Sequence, residues 1–581
     1  MTISTPNIVA AFQVDFPVHK LLSGKTVWLS RILPEGLSDD QGRPQGKTAF
    51  FQRFGYAIAG ASWTKSLQFD LGEQKIYRAE RYGGAGIGQH GGGVRVGNDG
   101  GFQIKGIGRN PLCGSVENTL HSYGALNAGE AIYEAIYASV LNKIMPVGAI
   151  PIHGVIATGA DSAYYDYDDK APHNHTVGWG ALLVRDGCVR PSHFLRAGLY
   201  SAEQAASMGI ASDMARTRAT NKMLLRAHGS TNGFIMYLGK FLQNCANQFA
   251  FAHMARIAHG TLSASNIALD GRWVDLACTT FVRSGENSGY KIPFYQEPQA
   301  IFPILKELTD GYAKYNQVDL NIQPLVRYYH EMYRGLLDVH LAYVLGIDHA
   351  QLSDDVKNGE YGTLAGQARR IIGSAREVSV GYPCAAPAGG DPIAAWVEQL
   401  FRGLAMREGK AARHAAHADD APGVAAFLSV MRQLQERQDL ADTPLFFQRA
   451  AIVAMKRALL PEFYFKGRLD QRIRLLLDQG RAENFGAFID QAVDVADWAF
   501  TAPQGHVWLY KGGAVSIAMC ADTGRLHVTD GQAATTYSAQ QMRTAFERLF
   551  PHGLDLLGFD FKPYLTRLLA VLAAFEDAQH D

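Results

Sequence analysis

The 581-residue chain predicts an α/β protein of the α+β kind: a mixed strand-and-helix beginning, a long helical run and a small strand-containing end. Three observations carry that prediction. Strand-like segments at 101–105, 150–156 and 180–184, with a helical segment at 127–143, make the first 185 positions a mixed lobe. Apolar residues at helical spacing dominate from Ala202 to about Phe500. Residues 506–537 then break the helical run with three short alternating segments, separated by Gly-Gly and Thr-Gly turns.

The first local feature in chain order is glycine. Of 60 glycines, ten fall between Gly83 and Gly101, so this segment needs backbone freedom or close backbone approach. Gly101-Phe102-Gln103-Ile104-Lys105 follows with the alternation of a half-buried strand, closed by Gly106 and Gly108. Asn127 to Lys143 has helical spacing, and Ile150–Ile156 and Gly180–Val184 are expected strands. Helices from Ala202 to Ala258 lead to a β-hairpin at Ile267–Leu276, whose Asp270-Gly271 is a two-residue turn signal. Helices resume at about Glu297. The Ala- and charge-rich stretch 405–423 ends in Pro-Gly and is expected to be a frayed helix or linker.

Composition narrows the function. Basic and acidic residues balance at 55 each, which gives no global electrostatic support for binding nucleic acid or an anionic membrane. The amino terminus lacks a basic segment followed by an apolar one, and no apolar run reaches the roughly 18 to 20 residues of a membrane span. Six scattered cysteines contain no C-x-x-C pair or disulfide framework. A reducing, cytoplasmic location is expected.

A glycine-rich segment feeding a lysine-bearing strand is a phosphate cradle backed by a cation, because backbone N–H groups and the ammonium both attract phosphate oxygens. Taken alone, the same pattern also describes a flexible loop beside a surface lysine. The hairpin offers a second part. Counting back from a two-residue Asp270-Gly271 loop places Asn266 opposite Asp275. Opposed residues have Cβ atoms about 4.5 to 5.5 Å apart, close enough for an amide oxygen and a carboxylate to share a magnesium ion.

Between about Tyr82 and Leu308 the chain resembles selenoprotein O and its bacterial YdiU-type relatives, an atypical protein-kinase-like family. Tyr82-Gly83-Gly84, Gly88 and Gly92 follow that family's glycine frame, and Gln103-Ile104-Lys105-Gly106-Ile107-Gly108 with Pro111 follows its lysine strand. Leu182–Arg185 and Pro191–Arg196 are similar to its two arginine segments. His259-Gly260 through Asn266, with Asp275 at the family's spacing, resembles its H-G-x-x-x-x-D-N segment, and Tyr295–Ala300 its later helix start. The resemblance implies a two-lobed fold binding ATP and magnesium and moving AMP to a protein or peptide acceptor. It assigns Gly84, Gly88, Gly92, Lys105, Glu130, Arg185 and Arg196 to the nucleotide, with Glu134 as a substitute for Glu130. Asn266 and Asp275 become the metal ligands, and Ser265, Asn266 and Asp275 the catalytic positions.

The pattern departs at the chemistry. Ser265 occupies the place of the family's catalytic-base aspartate, Val96 replaces an acidic loop residue, and the final EDAQHD lacks the family's redox cysteine motif. A base assists a hydroxyl acceptor by about 10² to 10⁴ in rate, and serine does not serve at neutral pH. Three readings stay open: Asp270 or His259 replaces the base, the protein is a non-catalytic nucleotide-binding pseudokinase, or its acceptor needs no base. A carboxylate acceptor is already deprotonated near pH 7, so ATP-dependent activation of a peptide carboxylate, as in microcin-type maturation, fits the third.

The expected division is 1–185 for the lobe with the glycine loop and lysine, and 186–345 for the lobe with the metal hairpin. A helical extension fills 346–500, and a small mixed β/α module 501–581. Expected partners are ATP, a protein or peptide acceptor and a partner protein. His173 and His175, with His153 nearby in sequence, could suggest a metal site but are expected to be a solvated loop. The basic stripe Arg218, Lys222 and Arg226 is expected to be a solvated helix face, and the pairs Asp354-Asp355 and Asp419-Asp420 are assigned no function.

Overall fold

The computed structural model describes residues 12–38, 46–60, 67–114, 120–166, 176–282, 292, 294–373, 391–408, 423–437, 443–501, 506–520, 522–531 and 533–580. Its class is α+β. The strands are β1 (Gln13–Leu21), β2 (Lys25–Leu29), β3 (Tyr56–Ala57), β4 (Phe69–Glu80), β5 (Val96–Asp99), β6 (Phe102–Lys105), β7 (Leu126–Asn127), β8 (Ile152–Asp166) and β9 (Thr176–Asp186). They form one sheet in the order β2-β8-β9-β6-β5-β4-β1-β3, with β7 beside β9. Antiparallel register sets Gln103 against Arg185 and Lys105 against Leu183. Helix α1 (Lys47–Phe54) and an apolar cluster including Phe16, Phe54, Tyr77, Ile104 and Ile156 cover one face.

Helix α2 (Ala128–Ile144) packs on the other face, against β8 and β9. The Asn127 side chain caps it by accepting from Glu130 N at 2.7 Å, satisfying a backbone donor that has no partner within the helix. Asp213–His228 (α3) and Thr231–Ala255 (α4) follow, then a short antiparallel pair, β10 (Ile257–Ala258) and β11 (Thr280–Phe281), and the helices Ile301–Asn316 (α5) and Gln323–Val344 (α6). The later helices are α7 (Glu360–Gly373), α8 (Pro392–Glu408), α9 (Val424–Arg437), α10 (Thr443–Leu459), α11 (Lys466–Asp478) and α12 (Glu483–Phe500). Most of the 405–423 stretch lies outside the described residues.

The helical run does not trail away from the sheet. Helices α11 and α12 return to pack on α2, and α12 also touches β2. Trp28 Nε1 donates to Asp490 Oδ1 at 3.0 Å, Tyr137 Oη donates to the Tyr464 carbonyl, and Lys143 pairs with Asp497. One apolar cluster consequently runs from Phe12 to Phe575.

The terminal sheet holds four strands where alternation predicts three: β12 (Val507–Lys511), β13 (Val515–Met519), β14 (Leu526–Asp530) and β15 (Ala533–Tyr537), paired in that order. The fourth, AATTY, has no buried face and therefore no apolar alternation to betray it. Helices α13 (Ala539–Leu549) and α14 (Lys562–His580) complete the structure. Among the described residues, no helix is long and apolar enough to cross a membrane.

The Asp270-Gly271 turn forms, but its register differs from the expectation by one residue. Ile267 pairs with Trp273, Ala268 N donates to Arg272 O at 2.8 Å, and Val274 N donates to Asn266 O at 3.0 Å. The loop therefore has three residues, Leu269 to Gly271. Gly271 N donates to Ala268 O at 2.9 Å and Gly271 sits at φ +90°, a turn closed by a glycine in the left-handed region. Asn266 consequently faces Val274, and Asp275 turns out of the extended run at φ +63°, which aspartate tolerates better than most residues.

Candidate functional site

Lys105 is the centre of the site. It ends β6, only 2% exposed, and its Nζ donates to Glu130 Oε1 at 3.0 Å, Glu134 Oε1 at 2.5 Å and Asp275 Oδ1 at 2.5 Å. The two glutamates lie four residues apart on α2 and so share a face, one turn above the other. Asp275 comes from the far side, after the hairpin. Arg185, adjacent on β9, places Nη1 at 3.6 Å from Asp275 Oδ1 and 3.7 Å from Glu134 Oε2. Arg95 closes the cluster at 2.7 Å from Glu130.

These contacts fix the charges. Burial alone lowers Lys105, but Asp275, Glu134 and Glu130 outweigh it and hold the ammonium above its ordinary range. Burial would raise Glu130, yet Arg95 and Lys105 bring it down to about 2. Glu134, wholly buried, goes the other way because desolvation wins over Lys105. Asp275 keeps a third of its side chain exposed, and Lys105, Arg185 and Arg95 overcome the effect of burial to hold its carboxyl well below the usual range. It is therefore an ionised carboxylate with part of its side chain in contact with solvent.

A second layer orients these groups. Gln103, two residues before Lys105 and so on the same face of β6, accepts from Arg185 Nε at 2.7 Å and from Arg190 Nη2 at 3.1 Å, and donates to buried Glu80 at 3.0 Å. Arg190 reaches on to the Ser265 carbonyl at 2.9 Å. The glycine-rich loop joins β4 to β5 above this layer. Gly83 N donates to Ser192 O at 2.9 Å and Gly84 N to Arg196 O at 3.1 Å, while Gly88 lies at the exposed tip. At Gly92 a Cβ would stand 1.9 Å from the Glu80 carbonyl, so only glycine lets the strands close there. The Arg196 side chain is exposed beside the loop and makes no ion pair among the described residues.

The segment from His259 to Asp275 is held from beneath. His259 is fully buried; its Nε2 donates toward Asn266 O at 3.2 Å and Val274 O at 3.1 Å, tying the two hairpin arms together. Its Nδ1 faces Thr261 N at 3.4 Å, and burial pushes its pKa down to about 4. Glu297 Oε2 accepts from His259 N at 2.9 Å and Oε1 from Gly260 N at 2.6 Å. Ser265 Oγ lies 2.9 Å from Ser263 Oγ and 3.3 Å from Asn266 Oδ1, and Asn266 Nδ2 donates to Thr261 O at 2.8 Å. Asp270 lies at the outer tip of the turn, paired with Arg272 at 2.7 Å. Neither candidate replacement base is presented to an acceptor: both His259 nitrogens are engaged and Asp270 is bound on the surface.

The donors fit a hard cation in kind. Asp275 is ionised and half-buried, with Oδ1 taken by Lys105, and Asn266 Oδ1 receives only the long Ser265 contact. Among the described residues, no group of three His, Cys, Asp or Glu side chains forms a metal site. His153 instead pairs with Asp186 at 2.7 Å, and His173 and His175 lie outside the described residues. Arg218, Lys222 and Arg226 lie exposed along α3, and Asp354 and Asp355 begin a short surface helix. Asp419 and Asp420 lie outside the described residues. Cys113, Cys188, Cys245, Cys278 and Cys520 are free, and Cys384 lies outside the described residues.

The structure thus brings Lys105, Glu130, Arg185 and Asp275 into one cluster, with Ser265 and Asn266 beside it through Arg190 and the hairpin. Arg95, Glu80, Gln103, Arg190 and Glu297 escaped the sequence reading. Gln103 had a legible signal, its period-two relation to Lys105; Glu297 lay inside the Tyr295–Ala300 segment with no role attached, and Arg95 had no signal, because its partner comes from a distant segment. Comparison with known proteins supplies no identity: no family model matches the chain, and no curated protein matches it significantly.

Proposed function

We propose that this chain is an ATP- and magnesium-dependent transferase with a kinase-like, two-lobed arrangement of the selenoprotein O type, moving AMP from ATP to a protein or peptide acceptor. One observation carries it: buried Lys105, behind the glycine-rich loop, is bonded at once to the α2 glutamates and to Asp275 across the cleft. A lysine paired with a helix glutamate near a metal-binding aspartate is the arrangement protein kinases use for phosphoryl transfer, and AMP transfer would use the same parts. Lys105 and Arg185 would neutralise phosphate oxygens, and Arg196 stands ready at the loop. Asn266 and Asp275 would hold magnesium, which supplies charge neutralisation at the phosphates when bound.

A specific observation favours a carboxylate acceptor as the second reading. Ser265 stands where a base is expected, His259 has both nitrogens engaged, and Asp270 is paired outside the cleft. A carboxylate needs no base. Its oxygen would form a bond to the α-phosphorus as the bond to pyrophosphate breaks, giving an acyl-adenylate without proton transfer.

The test is incubation with magnesium and ATP labelled separately at the α and γ phosphates, with a bacterial lysate as acceptor, with and without hydroxylamine. Stable α-label lost in Asp275→Ala supports AMP transfer to a hydroxyl; hydroxylamine-sensitive α-label supports carboxylate activation. γ-label alone marks a phosphate-transferring kinase. Asp275-dependent ATP binding without label marks a non-catalytic binding module. No ATP binding at all overturns the proposal.

A further inference from the structure

The second surface with the features of a binding site lies far along the chain from Lys105, in the terminal sheet. Strand β15 is an edge: among the described residues it pairs with β14 alone, in register from Leu526 opposite Tyr537 to Asp530 opposite Ala533. The opposite edge, β12, is covered by α10, α12 and α14. An edge strand leaves alternate N–H and C=O groups unpaired, and proteins commonly guard such edges with lysine, proline, a bulge or a covering element. Ala533-Ala534-Thr535-Thr536-Tyr537 carries no charge and no proline, its pairing with β14 is free of bulges, and the strand is exposed along most of its length.

A groove of 670 Å³ opens at the Tyr537 end of this strand, between β15 and α13, lined by Thr536, Tyr537, Gln540, Gln541, Thr544 and Arg548. Helix α13 has two faces. Ala539, Met542 and Phe546 are buried, while Gln540, Thr544 and Arg548, spaced four apart, form one stripe of the groove wall. Arginines surround it. Arg525 Nη2 donates to Gln541 at 3.2 Å and Arg543 Nη1 to Gln540 at 3.5 Å, each meeting a neutral amide. Neither they nor Arg548 has an acidic partner among the described residues, and no acidic residue lines the groove.

We propose that this groove binds an extended acidic peptide segment, which adds a fifth strand to the terminal sheet along β15 and sets its carboxylates against Arg525, Arg543 and Arg548. Backbone pairing supplies affinity without demanding a particular sequence, and the flanking helix supplies side-chain selectivity. The charge complementarity favours an acidic segment over a second copy of this chain, whose own β15 would bring three more arginines. The site is independent of Lys105 and of the activity proposed for it.

The experiment is selection of a phage-displayed library of random twelve-residue peptides on the full chain, followed by fluorescence anisotropy with the selected peptides. Peptides rich in β-formers, with Asp or Glu at a recurring position, are expected. Thr544→Trp, which fills the groove from a surface position, and Arg548→Glu should each weaken their binding at least tenfold, while Asp275→Ala leaves it unchanged. Ala534→Pro and Thr535→Pro present opposite sides of the strand; the one that keeps the wild-type circular dichroism should also weaken binding at least tenfold. The proposal is overturned if selected peptides bind Thr544→Trp as well as wild type or carry no acidic preference. It is equally overturned if light scattering shows a wild-type dimer that Thr544→Trp dissociates, since the edge would then belong to a second copy.

Discussion

Glu130 and Glu134 are one turn apart on α2 and share the ammonium of Lys105, yet their ionisation is driven in opposite directions. Glu130 has Arg95 as well, and its folded pKa falls to about 2, below the unfolded value. The stability it contributes is present above about pH 4.5 and is lost as pH falls toward 2, an effect on the order of 3 kcal/mol. Glu297 works the other way. Burial raises it to about 7 against the pull of its two backbone donors. Its contribution is fully present below about pH 4.5 and is lost as pH rises through 7. Urea titrations of Glu297→Gln against wild type should therefore diverge between pH 4.5 and 7, with the variant's stability the flatter of the two. An unchanged slope would mean that Glu297 is ionised throughout. Lys105→Met would leave three carboxylates without their shared cation, and a loss of roughly 3 to 5 kcal/mol is expected by the same urea measurement. The sequence showed Lys105 through its glycine-flanked strand, but the resemblance alone had to supply Glu130, since nothing in the spacing of residues 105 and 130 encodes contact.

At the scale of elements, periodicity revealed what has one buried face and missed what has none. Strand β6, helix α2 and strands β8 and β9 were legible because alternation or helical spacing survives in each. Strand β15 was not, since exposure on every side erases the pattern. The hairpin shows a subtler limit. Asp270-Gly271 is compatible with a two-residue loop and with a three-residue loop ending in glycine, and only the packing of Trp273 and His259 beneath it selects the second. That choice moves Asp275 by one position and aims it at Lys105. Gly271→Ala, forcing a side chain into the left-handed region with its Cβ 2.9 Å from Asn244 Cβ, should cost about 1 to 3 kcal/mol and weaken magnesium-dependent ATP binding. Calorimetry with and without ATP and magnesium checks both. Gly92→Ala meets the Glu80 carbonyl itself and should be worse, roughly 3 kcal/mol or more by urea denaturation.

Across the whole molecule, the expected boundaries at 345 and 500 do not divide the core, since one apolar cluster spans both. Pattern reading is local, whereas the contacts of Tyr137 with Tyr464 and of Trp28 with Asp490 join residues hundreds of positions apart. Chain ended at residue 345 would expose the flank of α2 that α11 and α12 cover. It should therefore bind a hydrophobic dye and lose near-ultraviolet dichroism, where an independent domain would keep it. The return of α11 and α12 also bears on control. A nucleotide site whose glutamates ride on a helix can be switched off by swinging that helix away, but only if one flank is free to move. Here the sheet holds one side of α2 and two helices from the far end of the chain hold the other. Held on both flanks, α2 keeps its glutamates at Lys105, and in the transferase proposed above the trigger would be the arrival of an acceptor and not a swing of this helix.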